Sequence, residues 1–178
     1  MKVFSSPAEL LVDPSLNLTS IVERHRANSA NPVLYRRQMS PGNWQPVRAQ
    51  QFHQQVTDLA KGLMAAGIRP GDRVGIMSRT RFEWTVIDFA IWYAGAISVP
   101  VYETNAPAQV AWALSHSETI AVFVEDEKLL QRMREAEKFS STTDKPMRLK
   151  YRWVIENGDL EALSARAKEI TDEQLEQV

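Results

Sequence analysis

A polar elbow at residues 102–105 (YETN) follows a short apolar strand in the stretch AGAISVPVYETN, and its position could serve ligand binding. Open α/β sheets bind their ligands beyond the carboxyl ends of the strands, where this elbow is expected to lie. Polar residues at strand ends are also common in loops that only contact solvent. The pattern leaves both a ligand-binding edge and a solvated loop open.

The three histidines do not form a metal-binding or catalytic group. His25, His53 and His116 are far apart in sequence, and no two have the spacing of metal ligands. We expect His25 and His53 on helix surfaces and His116 in the loop after a helix. The chain has no cysteine, which excludes disulfides, thiol nucleophiles and Cys-based zinc sites. The residues alone therefore predict no catalytic, cofactor-binding or metal-binding side chain.

Charged clusters have ordinary structural explanations. Glu125-Asp126 and Asp172-Glu173 suit solvated charges at the starts of helices. Four basic residues lie within 145–152, where they could bind phosphate or form the exposed approach to a strand. From Glu156 onward the tail is acidic, and the formal net charge of the whole chain is -1. We therefore expect no nucleic-acid partner.

Common phosphate-binding and nucleophile motifs are missing from the sequence. It contains no G-x-G-x-x-G and no G-x-S-x-G, and Gly67 is followed by isoleucine rather than by Lys-Ser/Thr. Four aromatic residues could form an acyl or base pocket, but on apolar helices such residues more often belong to the core: Trp84, Trp92, Tyr93 and Trp112.

Short apolar strands alternate with helices along most of the 178 residues. The alternation predicts an α/β fold with a mostly parallel sheet covered by helices on both faces, preceded by a helix and a β-hairpin. The predicted strands are 33–38, 44–47, 74–77, 97–101, 120–124 and 151–155. The predicted helices are 20–28, one through 56–64 that ends near Gly67, one from Thr80 to Gly95, 108–115, 127–139 and 160–168.

Local signals refine three of these elements. Ser20 with Glu23, and Thr80 with Glu83, have the spacing of a helix capping box. Gly95 should end its helix, because glycine enters the left-handed conformation at low cost. The strand that follows, Ile97 to Pro100, is expected to be a buried central strand.

Residues 44–126 resemble the N-terminal part of adenylate-forming acyl-CoA synthetases. Four motifs occur in the order found in that family: LAKGLMAAG, GDRVGI, SRTRFEW and AGAISVPVY. RFEW together with PVYETN is most similar to bacterial long-chain fatty acid–CoA ligases. The matching positions belong to the scaffold: Gly71, Asp72, Glu83, Trp84, Gly95, Pro100 and Tyr102.

The resemblance implies a large N-terminal domain of an enzyme with a two-step reaction. ATP and Mg²⁺ would convert a long-chain fatty acid to an acyl-adenylate, and coenzyme A would then displace AMP. The family's phosphate loop, ending Pro-Lys-Gly, has no counterpart in this sequence. No catalytic residue can therefore be carried over, and this chain alone is expected to be inactive and to bind none of these cofactors tightly. Tyr102 and Thr104 would form the lip of the substrate crevice.

We expect residues 1–43 to form an amino-terminal arm, a short helix and the first hairpin strand, and 44–178 to form a partial α/β subdomain. The ATP-binding and C-terminal domains would be absent. We expect the whole enzyme in the cytoplasm. Because its substrate is a long-chain fatty acid, peripheral contact with the inner face of the membrane stays open. Exposed apolar surface would favour self-association of the isolated piece. The alternative is a free-standing α/β module that binds acyl chains or regulates a catalytic subunit.

Overall fold

Helices and short strands alternate in the computed structural model, which describes Asp13, residues 16–142 and residues 144–178. The strands are β1 (Val33–Ser40), β2 (Asn43–Arg48), β3 (Arg73–Met77), β4 (Ile97–Pro100), β5 (Ala121–Val124) and β6 (Tyr151–Val154). The helices are α1 (Leu18–Arg26), α2 (Ala49–Ala65), α3 (Phe82–Tyr93), α4 (Pro107–His116), α5 (Glu127–Ser140), α6 (Asp159–Ser164) and α7 (Asp172–Glu176). Two 3₁₀ turns, Ile155–Asn157 and Ala165–Glu169, flank α6.

Strands β3 to β6 form one parallel sheet in the order β4-β3-β5-β6. The chain goes from β3 to β4 on one side, and then crosses to β5 on the other side of β3. The connections that leave β3 and β5 therefore diverge, which makes the gap between their carboxyl ends a topological switch point. Ligands of open α/β sheets bind at such points.

Helices cover both faces of this sheet, as the apolar strands predict. On one face, α2 and α3 pack against β3 and β5 in a core that includes Phe52, Leu59 and Ile87. On the other face, α4 and α5 close a second core around Leu114 and Met133. The predicted α/β fold with a parallel sheet between two helical layers is confirmed.

The prediction that Ile97 to Pro100 is a central strand is wrong. Among the described residues, strand β4 pairs only with β3 and so lies at one edge of the sheet, and Ile97 is 50% exposed. An apolar strand of four residues carries no signal that separates a central from an edge position. Pro100 is consistent with the edge, because proline cannot donate to a neighbouring strand.

Both predicted capping boxes are wrong. Asn17 caps α1, accepting a hydrogen bond from the Ser20 amide at 3.1 Å, so this helix begins two residues earlier than predicted. Helix α3 begins after Arg81 without a side-chain cap. The Glu83 carboxylate is held by arginines instead of capping the helix.

Two glycines allow close packing between elements. Gly95 has φ +66°, which confirms the predicted left-handed turn, and the Val178 side chain packs over it. Gly62, in the middle of α2, lies against the backbone carbonyl of Leu163 on α6, where a Cβ atom would overlap that oxygen. A larger residue at either position would displace its neighbour.

The β1–β2 hairpin and α1 pack beside α2 and α3. Glu23 on α1 accepts hydrogen bonds from the Tyr93 hydroxyl at 2.8 Å and lies 2.9 Å from His53 Nε2. The predicted domain boundary between residues 43 and 44 falls inside the hairpin and remains a prediction, and most of the predicted arm lies outside the described residues. No helix among the described residues is long and apolar enough to cross a bilayer.

The aromatic residues expected in the core have two different environments. Trp84 and Tyr93 pack against the core, and Trp92 is half-buried. Trp112 is 67% exposed, so its predicted core position is wrong. It stacks on His116 one turn later, with ring centroids 5.0 Å apart and an angle of 6° between the rings.

Candidate functional site at the carboxyl edge of the sheet

The loops after the four parallel strands meet along one edge of the sheet. Residues 78–81 follow β3, 102–105 follow β4, Glu125 and Asp126 follow β5, and Glu156 lies in the turn after β6. The switch point between β3 and β5 is therefore flanked by Arg79 on one side and Glu125 on the other. We take this edge as the candidate site.

Glu125 is the buried centre of the edge, with 3% of its surface exposed. Its carboxylate accepts hydrogen bonds from the Arg79 guanidinium, with Nη2 at 2.6 Å and Nε at 3.0 Å from Oε1. The Arg79 amide donates to Oε2 at 2.9 Å. The hydrogen bond from Arg79 holds the pKa of Glu125 below its ordinary value. The ion pair between Glu125 and Arg79 thus joins the ends of β3 and β5. Because its pKa is lowered, the Glu125 carboxylate is poorly suited to act as a general base.

Arg81 extends this pair into a network of charges. Its Nε donates to Glu83 Oε2 at 2.7 Å, and its Nη1 lies 3.3 Å from Glu156 Oε1. Arg37 on β1 also donates to Glu83. Burial raises the pKa of Glu83, but the hydrogen bond from Arg81 and the charge of Arg37 outweigh it and lower the pKa. The network ties the hairpin to the ends of β3, β5 and β6.

Of the cavities that touch this network, two lie at the carboxyl edge of the sheet. One of about 560 Å³ lies between the hairpin and the edge, and is lined by Arg36, Trp44 and the arginine–glutamate network. The other, of about 430 Å³, is lined by Arg79, Glu125, Thr104 and Arg132 among others. Both have polar walls with charges of both signs, so the edge could hold polar or charged parts of a ligand.

A sequence profile for AMP-binding enzymes matches residues 23–177, which include every strand and the whole candidate edge. This chain belongs to the AMP-binding enzyme family. Two long-chain-fatty-acid–CoA ligases named FadD15, from Mycobacterium bovis and Mycobacterium tuberculosis, are each 38% identical to it over 125 residues. Those residues are 70% of this chain but 21% of each relative. The chain therefore spans about a fifth of the length of these relatives.

Two solved structures titled as acyl-CoA ligases or their domains share the fold. The long-chain-fatty-acid-CoA ligase FadD1 from Archaeoglobus fulgidus matches with a TM-score of 0.72 at 14% identity, over 88% of this chain and 31% of that one. The inhibitor-bound N-terminal domain of FACL13 from Mycobacterium tuberculosis matches with a TM-score of 0.62 at 20% identity, over 86% and 36% of the two chains. This chain thus has the fold of the N-terminal domains of acyl-CoA ligases.

Both residues predicted to form the lip of the substrate crevice lie at this edge. Tyr102 is 77% exposed beyond the end of β4, and Thr104 lines the same cavity as Arg79 and Glu125. The structure therefore brings Thr104 together with Arg79 and the buried Glu125. A contact of either residue with a substrate remains a prediction.

Sequence reasoning missed the role of Glu125. It was expected to be a solvated charge at a helix start, which holds only for its neighbour Asp126, whose side chain accepts from the Leu129 amide at 2.8 Å. The signal lies in the SRTR segment after β3, since an arginine at one strand end can pair with a carboxylate at the next. The two partners are 46 residues apart, so spacing alone does not connect them.

The histidines lie away from the edge. His25 is on α1, and His116 is the last residue of α4, not in the loop after it. His53, expected on a helix surface, has an 18% exposed side chain and pairs with Glu23. Within the described residues, no three histidine or carboxylate side chains are arranged to hold a metal ion.

The edge residues do not fit magnesium–ATP. A phosphate-binding loop needs a run of free backbone amides and a lysine, and the sequence contains no Pro-Lys-Gly segment to supply them. The Glu83 and Glu125 carboxylates are already paired with arginines. That this chain has no residue that acts on the phosphates remains a prediction.

Proposed function

We propose that this chain supplies the amino-terminal scaffold of a long-chain fatty acid–CoA ligase. The observation that carries the proposal is the 38% identity over 125 residues to two ligases of that name. The whole enzyme would use ATP and Mg²⁺ to form an acyl-adenylate, and coenzyme A to convert it to the thioester. We place it in the cytoplasm, where both nucleotide substrates are available.

In this proposal, the arginine–glutamate network keeps the carboxyl edge rigid for the parts of the enzyme that bind ATP. Arg79 and Glu125 hold the ends of β3 and β5 at a fixed separation, and preorganised positions of this kind are what catalysis requires. Thr104 and Tyr102 would contact the acyl substrate from the neighbouring loop. The chain alone would be inactive, because it contributes walls to the site but no residue that acts on the phosphates.

The test compares this chain with the longer polypeptide encoded by the same gene. Palmitate-dependent release of pyrophosphate from ATP, followed by palmitoyl-CoA formation, should be detected only for the longer protein. Turnover by the 178 residues alone would contradict the scaffold role. A longer protein that activates only short or aromatic acids would contradict the long-chain assignment.

The lip residues can be tested in the same assay. In the longer protein, Thr104→Ala and Tyr102→Ala should raise KM for palmitate and leave KM for ATP unchanged. Trp112→Ala, an exposed aromatic residue of α4 that lines neither cavity of the edge, is the matched control and should change neither. Equal effects on both KM values would argue against a substrate-lip role.

An immunoblot of the source cells with an antibody against this chain separates the ligase from the alternative module. For a ligase, we expect a band whose mass corresponds to a polypeptide several hundred residues longer than this chain. A band near 20.2 kDa, together with saturable binding of a fluorescent fatty acid by the monomer, would favour a free-standing acyl-binding module.

A further inference from the structure

A third cavity touches the arginine–glutamate network from the side of the helices. It is lined by residues of β1, α2, α3 and α6 and has a volume of about 230 Å³. We call it the helix cavity. Its lining combines an apolar wall, which includes Leu59, Phe82 and Leu160, with polar or charged side chains from all four elements. Mixed walls of this kind are typical of sites for small organic molecules.

Gln55 contributes an unpaired hydrogen-bond acceptor to the helix cavity. It lies on α2, and its side-chain oxygen Oε1 is buried without a hydrogen-bond partner among the described residues. Buried polar atoms are nearly always paired, because an unmet acceptor costs free energy. A ligand that donates a hydrogen bond to Oε1 would recover this free energy on binding.

Negative charge dominates the lining of the helix cavity. Three carboxylates, those of Asp58, Glu83 and Glu161, line it together with one cation, Arg37. Glu83 is already paired with Arg37 and Arg81. Within the part of the chain that the structure describes, neither Asp58 nor Glu161 forms an ion pair. The cavity therefore keeps two negative charges that no cation of the protein compensates.

We propose that the helix cavity binds a small organic ammonium ion with a compact apolar group. An ammonium group carries three donors and no acceptor, so it can pair with Gln55 Oε1 and with the carboxylates of Asp58 and Glu161. Its apolar group would pack against Phe82 and Leu160. The cavity is smaller than the about 300–1,000 Å³ of sites for drug-sized ligands, so the occupant has to be small.

Other classes of ligand fit the helix cavity less well. An anion would meet the carboxylates of Asp58 and Glu161 with like charge. A metal ion lacks ligands, since no three histidine or carboxylate side chains among the described residues are arranged to hold one. A neutral apolar molecule would leave Gln55 Oε1 without a donor.

The helix cavity borders the candidate site. Arg37 and Glu83 line both this cavity and the one between the hairpin and the carboxyl edge. A bound ammonium ion would add contacts to the elements that hold the hairpin in place. Because a ligand that binds only the folded state stabilises it by mass action, the free energy of unfolding should rise with ligand concentration. Binding of this kind does not depend on the proposed ligase activity.

Titration with benzylamine, which is a cation at neutral pH, tests the proposal without ATP, coenzyme A or fatty acid. Benzyl alcohol and benzoate have a similar shape but are neutral and anionic. Benzylamine should bind about tenfold more tightly than benzyl alcohol, and benzoate should bind more weakly still. NMR spectra should show that the side-chain amide signals of Gln55 shift during the titration. Binding should weaken as salt is added.

Variants of the lining assign the binding to this cavity. Gln55→Leu should weaken benzylamine binding about fivefold, because it removes the acceptor. Asp58→Asn and Glu161→Gln should each weaken it about threefold. Gln131→Leu and Glu135→Gln change exposed side chains of α5, on the other face of the sheet, and are matched controls that should bind as wild type. The two charge variants keep the proposal testable if Gln55→Leu fails to fold, which circular dichroism would reveal.

Three results would overturn the proposal. The first is no binding of benzylamine, or binding no tighter than that of benzyl alcohol or benzoate. The second is equal binding by wild type and the variants of the lining. The third concerns the longer polypeptide encoded by the same gene, which should bind benzylamine as this chain does. Loss of binding there would mean that another part of the enzyme fills the cavity. Because no ligase substrate is present, each of these failures would leave the proposed activity untouched.

Discussion

Arg79 and Glu125 join the ends of β3 and β5 across the switch point of the sheet, with 2.6 Å between Nη2 and Oε1. The carboxylate is buried, whereas the guanidinium remains 70% exposed. The pair is therefore asymmetric: loss of Arg79 leaves a buried anion without its main partner, but loss of Glu125 leaves a cation that water can solvate.

This asymmetry gives a first prediction about stability. Glu125→Ala should lower the free energy of unfolding by about 1–2 kcal/mol, and Arg79→Ala should lower it further. Urea unfolding at neutral pH measures both. Arg36→Ala, which removes an exposed arginine of the hairpin, is the control. A smaller effect for Arg79→Ala than for Glu125→Ala would show that the burial of Glu125 carries no penalty.

Gly62→Ala should destabilise the protein although alanine favours helices. The new Cβ would overlap the Leu163 carbonyl, and overpacking costs about 1–3 kcal/mol against a gain of about 1 kcal/mol in helix propensity. Thermal unfolding should show a lower midpoint. Gly42→Ala is a useful comparison, because its φ is +79° but no atom lies near its Cβ position. A higher midpoint for Gly62→Ala would mean that α6 moves away freely.

Gly95→Ala should lower the free energy of unfolding for two reasons that can be measured separately. The left-handed backbone costs an alanine about 1–2 kcal/mol, and the added Cβ would meet the Val178 side chain. Combining Gly95→Ala with Val178→Ala should remove the cost of the clash and leave the cost of the left-handed backbone. A double-mutant cycle with urea unfolding measures the coupling. Simple additivity of the two changes would show that Val178 does not press on this turn.

Asp88 should make stability fall as the pH rises. It is 8% exposed, its Oδ1 lacks a hydrogen-bond partner, and burial raises its pKa despite a hydrogen bond from Ser98. Between its unfolded pKa of about 3.9 and its higher folded pKa, the native state binds more protons, so raising the pH through this window destabilises it.

Asp88→Asn removes this titration. The variant should be at least as stable as wild type at pH 7, and the difference between them should shrink as the pH falls toward about 4. Urea midpoints at several pH values supply the measurement. Glu125→Gln should behave oppositely: the lowered pKa of Glu125 stabilises the native state above about pH 4, and the advantage is lost in acid. A difference in stability between Asp88→Asn and wild type that grows as the pH falls would contradict the raised pKa of Asp88.

The sequence predicted the layered fold because its strands are short and apolar and its turns carry glycine. It could not place Ile97 at an edge, because burial of a strand depends on neighbours that pairing selects from distant parts of the chain. Trp112 was misplaced for a similar reason: helical spacing shows that residues share a face, but not that the face is covered. Glu125 needed a partner 46 residues away before its burial could be inferred.

The edge position of β4 also affects how sheets of different molecules meet. Its Ile97 amide and the Val101 amide after it point to β3, so by alternation the Ser98 amide points outward. Pro100 has no amide hydrogen, which leaves one outward donor among the four residues of this strand. A strand from a second molecule could therefore form few hydrogen bonds with this edge, so β4 protects the sheet against edge-to-edge aggregation.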